Sequence, residues 1–148
     1  MQPGEYKSQL LISGSNVTFA PGTYIFDNGV KIQGSNVASV NNITFINNGG
    51  TFDVQGTNAS FTAPSTGPTA GMLFFQPATD TNAVRMGGSN VNQSGMVYAP
   101  SAAISWQGSN SDWLFVVGDT VALQSGNTAV PATAKSPLPG SQHAVLGE

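Results

Sequence analysis

The chain returns to a Gly-Ser/Thr-Asn step at intervals near twenty residues. The steps are Gly14-Ser15-Asn16, Gly34-Ser35-Asn36, Gly56-Thr57-Asn58, Gly88-Ser89-Asn90, Gly108-Ser109-Asn110 and a shorter Gly126-Asn127, with first residues 20, 22, 32, 20 and 18 apart. Short runs rich in β-branched and aromatic residues lie between them. A unit of that length is too thin to bury its own apolar face, so it must stack on its neighbours. The spacing predicts an all-β fold, a right-handed parallel β-helix of about five to seven short rungs with an irregular C-terminal tail.

Each rung reads as two or three extended segments. Leu10-Leu11-Ile12, Val17-Thr18-Phe19, Thr23-Tyr24-Ile25-Phe26, Val30-Lys31-Ile32-Gln33, Ile43-Thr44-Phe45-Ile46 and Thr51-Phe52-Asp53-Val54-Gln55 are divided by Gly, Asn or Pro. Their alternation is that of strands, and no stretch keeps a helical period. Asn tolerates positive φ, and its amide can bond an Asn one rung away. Asn16, Asn36, Asn58, Asn90, Asn110 and Asn127 are therefore read as structural corners. The 32-residue interval breaks the rhythm with an insertion around 63–83. It holds the loop Ala63–Thr69, the apolar run Gly71-Met72-Leu73-Phe74-Phe75 and a second loop, Gln76–Asn82. The solenoid domain is expected over 1–130, with 131–148 a Pro/Ala/Ser-rich tail or cap and residues 1–9 a cover for the opposite end.

Only 7% of residues are charged, against about a quarter in an ordinary domain. Neutral hydrogen-bonders replace them, with 16 Ser, 13 Thr and 13 Asn, which suits stacked rungs because like charges do not face each other. Lys7, Lys31, Arg85 and Lys135 stand alone in the sequence, which speaks against nucleic-acid binding. Apolar runs are strand-length, so no membrane span is expected in this chain. Cysteine is absent and says nothing about the compartment. Met1-Gln2-Pro3-Gly4-Glu5 lacks the pattern of a signal peptide, and an upstream signal or anchor is expected to be missing.

Several segments resemble a known family. Val17-Thr18-Phe19-Ala20-Pro21-Gly22-Thr23-Tyr24-Ile25, Pro64-Ser65-Thr66-Gly67-Pro68, Ala70-Gly71-Met72-Leu73-Phe74-Phe75-Gln76 and Gly95-Met96-Val97-Tyr98-Ala99-Pro100-Ser101-Ala102 carry the likeness, and so does the terminal Ala144-Val145-Leu146-Gly147-Glu148. They resemble the C-terminal region of bacterial TadG-like proteins, which are associated with tight-adherence (Flp) pili and related envelope proteins. The resemblance covers roughly residues 14 to 130. It implies an exported, envelope-attached bacterial protein and no catalytic residues.

Many β-helices act on polysaccharides, and glycoside cleavage needs two carboxyl groups flanking one bond. The internal acids are Asp27, Asp53, Asp80, Asp112 and Asp119. Asp27 and Asp119 border turns or strand starts, whereas Asp53 lies within a strand and would have to act with Asp27. The single histidine, His143, lies in the tail, and with no cysteine a transition-metal site is not expected. No cofactor is expected. Trp106 shares a strand face with Ile104 and is expected in the core. Tyr98, Trp113, Asn110 and Asp112 are the candidate ligand-binding residues, through aromatic stacking and bonds to sugar hydroxyls.

These observations lead to a non-enzymatic extracellular or envelope module for structure and adhesion, pilus-associated. Its expected partners are a protein or glycan surface ligand, with self-association through the solenoid ends. Two alternatives stay open. One is an ice-binding solenoid, for which only Thr79-Asp80-Thr81 has the Thr-x-Thr form. The other is a carbohydrate-binding or polysaccharide-active β-helix.

Overall fold

The computed structural model describes residues 1–34, 40–58, 60–107 and 113–124. Within them the chain is all β, a twelve-stranded parallel sheet wound into a β-solenoid of about five turns. The first coil holds β1 (Gly4–Tyr6) and β2 (Leu10–Gly14). The second holds β3 (Gly22–Phe26), β4 (Val30–Gly34) and β5 (Val40–Asn41), and the third β6 (Ile43–Asn47), β7 (Phe52–Gly56) and β8 (Ser60–Thr62). After β9 (Met72–Phe75) and β10 (Val84–Gly87) come two long strands that bend across faces, β11 (Asn92–Gln107) and β12 (Trp113–Gln124).

Three faces result. Face A stacks β1, β3, β6, β9, the middle of β11 and the first half of β12. Face B stacks β2, β4, β7, β10 and the second halves of β11 and β12. The narrower face C carries β5, β8 and the start of β11.

The corner spacing turns out to be the register of face B. Its partners run Leu10, Val30, Phe52, Val84, Ile104 and Val121, steps of 20, 22, 32, 20 and 17 residues. Gly14, Gly34 and Gly56 lie in register at the end of this face. A Cβ on Gly88 would sit 1.5 Å from the Gly56 carbonyl oxygen, and its φ is +147°, so only glycine lets the coils close here. Asn58 and Asn90 follow with φ of 58° and 57°, and Asn90 Nδ2 donates to Asn58 Oδ1 at 3.1 Å. Asn16 lies within the described residues and has an interaction of its own. Asn36, Asn110 and Asn127 fall outside the described residues.

Alternation fills the interior. Face B points Val30, Phe52, Val84 and Ile104 inward, with Ile32, Val54, Met86 and Trp106 in the next column, all buried. Face A contributes Tyr24, Phe45, Phe74 and Val97 in one column. Phe45 joins the three faces, its ring 5.6 Å from Phe52 of face B and 5.4 Å from Phe61 of face C. Such ring pairs add about 0.5–1.5 kcal/mol each beyond the area they bury.

The long interval is not a single excursion, because β9 pairs on both sides as a rung strand of face A, with a bulge at Leu73 against β11. The extra residues fall at two corners, one before β9 and one after it. The first is tied down by Gly71 N–H to the Pro64 carbonyl at 2.7 Å and Met96 N–H to the Gly71 carbonyl at 2.7 Å. The second folds inward, burying Gln76 and Asp80. At the N-terminal end, residues 4–6 form rung strand β1 instead of a cover. Met1 lies over the Thr18–Ala20 corner, where its carbonyl accepts from Ala20 N–H and Tyr24 O–H at 2.9 Å each and its amino group donates to the Thr18 carbonyl. The proposed tail, 131–148, is outside the described residues.

Candidate functional site: the outer faces

Since the interior is filled, chemistry available to a partner lies on the outer columns. Face B has two. The first runs Leu11, Lys31, Asp53, Arg85, Ser105 and Ala122, and the second Ser13, Gln33, Gln55, Gly87 and Gln107. Cations that stand alone in the sequence thus flank Asp53 from the rungs on either side, at a strand spacing of about 4.8 Å. Asp53 Oδ1 accepts from Gln55 Nε2 at 2.9 Å. Among the described residues, the ion pairs belong to Lys7, whose Nζ lies 2.5 Å from Glu5 Oε1 and 3.5 Å from Asp27 Oδ2. Arg85 is exposed and takes no part in them.

The second column is a row of glutamines interrupted by Gly87. Beside it lies a notch, a depression of about 220 Å³, lined by Gln55, Arg85, Met86, Gly87, Ser105 and Gln107. A Cβ at position 87 would come within 2.3 Å of the Gln107 carbonyl oxygen, so the coils approach too closely here for a side chain. The lining of the notch carries a guanidinium, a hydroxyl and two carboxamides, of which that of Gln55 also holds Asp53.

Face A is built the other way round. Its outer column is Glu5, Ile25, Ile46, Phe75, Tyr98 and Val117, apolar after the first rung. Phe75 and Tyr98 stack with centroids 5.8 Å apart and planes 7° from parallel. Beside them Met72, Met96 and Phe115 are in register, and Phe115 is 42% exposed. The inner column runs Tyr6, Phe26, Asn47 and then, one position past the Ile46–Phe75 pair, Gln76. Asn47 and Gln76 are fully buried. Asn47 Nδ2 is within bonding distance of Gly50 O at 2.8 Å, Gln76 Oε1 at 3.1 Å and Asp80 Oδ2 at 3.3 Å. Gln76 Nε2 donates to the Asp80 and Asn82 carbonyls, and Asn82 donates to Asp80 Oδ1 through both its backbone N–H and its Nδ2. Asp80, read from the sequence as a loop residue, is thus the buried end of a polar ladder.

The expected site residues are dispersed. Tyr98 is on outer face A. Trp113 opens β12 with its Cα paired to Ser94, and Asn110 and Asp112 lie outside the described residues. Trp106 is in the core, as its alternation with Ile104 predicts. Asp53 is mid-strand on face B, while Asp27 holds the corner after β3. There Asn48 Nδ2 donates to Asp27 Oδ1 at 2.9 Å, and this bond, with help from Glu5 and Lys7, holds the carboxyl below its ordinary range despite some desolvation. Lys7 is raised, chiefly by its bond to Glu5. Thr79 and Thr81 are exposed beside buried Asp80, and Thr44 is buried with its hydroxyl donating to the Met72 carbonyl. Among the described residues, no three His, Cys, Asp or Glu side chains gather as metal ligands, and no helix is long and apolar enough to cross a membrane.

Sequence reasoning missed the notch, the charge column and the polar ladder. Their only trace was glycine in place of glutamine at 87, and polar residues at 47 and 76 beside apolar neighbours. Compared with known proteins, the chain matches no protein-family model, no curated protein and no solved structure.

Proposed function

We propose that this is a non-enzymatic structural module of the bacterial cell envelope, exported and pilus-associated, which adheres or assembles through its outer faces. The observation that carries the reading is the apolar outer wall of face A, with Ile25, Ile46, Phe75, Tyr98 and Val117, each half-buried, in one column and Met72 and Phe115 beside it. Solvent-facing strand positions ordinarily carry polar residues; a row of this kind on a stiff ladder suits contact with a protein neighbour. The envelope and the pilus enter through the resemblance of segments 17–25, 64–76 and 95–102. The placement of the acids supports a role without turnover, since Asp27 is bonded at a corner and Asp53 is held by Gln55 on another part of the surface.

The test is a surface-adhesion and fractionation assay in a bacterium carrying the full-length protein, comparing wild type with Phe75→Lys and Tyr98→Lys. Both variants should fold, remain in the envelope fraction and lose adhesion or co-purifying pilus components. A protein confined to the cytoplasm, or a double variant that adheres as well as wild type, overturns the proposal.

A further inference from the structure

We infer that the notch on face B is a binding site for an acidic saccharide. Arg85 receives the carboxylate, and Gln55, Gln107 and Ser105 take the ring hydroxyls.

The argument begins with what lines the depression. Arg85 is exposed, forms no ion pair among the described residues, and borders a space of about 220 Å³. Its planar fork matches a carboxylate in bidentate fashion, and such charge-assisted bonds are the strong ones. The flanking glutamines carry carboxamides that both donate and accept, as a hydroxyl does; Gln55 keeps one N–H on Asp53 and has a second to offer. Ser105 adds a third group of that kind. Met86 is buried, and no aromatic or aliphatic side chain offers a pocket to a peptide side chain.

The charge column then selects among acidic saccharides. Lys31, Asp53 and Arg85 follow one another on successive rungs. The two cations therefore stand about 10 Å apart with a carboxylate between them. A polymer acidic at every ring would set a carboxylate against Asp53. One whose acidic rings alternate with neutral ones can place its carboxylates at Arg85 and Lys31 and a neutral ring over Asp53. The site thus favours alternating acidic and neutral rings.

The experiment is an NMR titration of the whole chain with three oligosaccharides of equal length. One alternates glucuronate with N-acetylglucosamine, one is all galacturonate, and one is neutral glucose. The alternating oligomer should bind tightest, with shifts centred on Arg85, Ser105 and Gln107, and added salt should weaken it. Arg85→Gln should weaken it about tenfold or more while leaving the melting temperature unchanged, because one charged hydrogen-bonding group is lost from an exposed position. Gln107→Ala should weaken it by a smaller factor. The site is overturned if none of the oligomers shifts these residues at millimolar concentration, if the neutral one binds equally well, or if Arg85→Gln binds like wild type. Each of these failures leaves the adhesion test on Phe75 and Tyr98 untouched. Cleavage of the bound oligomer would count against the non-enzymatic reading and not against the site.

Discussion

Faces A and B are made of short strands paired in the same parallel fashion, and both have largely apolar inner walls, yet their outer columns differ, mainly polar on B and apolar on A. Face B is the conventional one: an aliphatic and aromatic inner wall and an outer wall of Lys31, Asp53, Arg85 and glutamines. Face A carries Asn47 and Gln76 inside and Ile46, Phe75 and Tyr98 outside. Although Asn47 Oδ1 and the Gln93 carboxamide are buried with no hydrogen-bond partner, a solenoid rung can turn polar groups inward where they bond to each other. Asn47, Gln76 and Asp80 do so at the corner between the two faces. Face B is thus suited to polar, charged ligands and face A to an apolar neighbour.

The strongest way to probe the contrast is to cut the inner wall of each face. Phe52→Ala removes a buried ring that packs on Phe26, Phe45 and Phe74. A loss of about 3–5 kcal/mol is expected in denaturant unfolding. Asn47→Leu is the sharper test, since it makes the wall of face A more apolar. It should nonetheless destabilise by roughly 1.5–3 kcal/mol, because Asp80 and Gln76 lose their donor in the interior. A stabilised Asn47→Leu protein would show that the polar ladder is incidental and confine the contrast to the outer columns.

Smaller effects belong outside. Asp53→Asn on face B should shift stability by less than about 0.5 kcal/mol, because exposed charges separated by a rung interact weakly through solvent. The same variant should lose the preference for alternating over fully acidic oligosaccharides, which the titration reads directly. The smallest effect concerns the corner at Asp27. A carboxyl depressed on folding contributes stability at neutral pH that is lost as pH falls below its ordinary value through the depressed one. Melting curves from about pH 5 to about pH 2 should therefore fall less steeply for Asp27→Asn than for wild type. Lys7, raised on folding, behaves oppositely: its contribution is complete below the ordinary lysine range and fades only as pH rises beyond it.

Much of the architecture was legible because a solenoid writes its register into its corners. Gly56 and Gly88 must be glycine where backbone meets backbone, and Asn58 and Asn90 take the positive φ that follows. The distances between such steps are therefore coil lengths. The candidate site was less legible. Tyr98 was singled out as an aromatic near Trp113, whereas its partner in space is Phe75, 23 residues earlier. The tract 63–83 reads in the sequence as an insertion of two loops around the apolar run 71–75, and stacking makes that run the rung strand β9.

What the chain alone determines is the coil: corner residues with narrow backbone requirements set its length, and alternating runs set its β character. Which residues share an outer column was decided only by stacking. Ile43-Thr44-Phe45-Ile46-Asn47 has apolar side chains at both parities, so alternation leaves open which of them faces out. The number of residues spent at each corner chooses, and it brings Lys31, Asp53 and Arg85, 22 and 32 residues apart, onto adjacent rungs. The physical reason is the two-residue period of a strand: one residue more or less at a turn reverses which side of the next strand meets solvent.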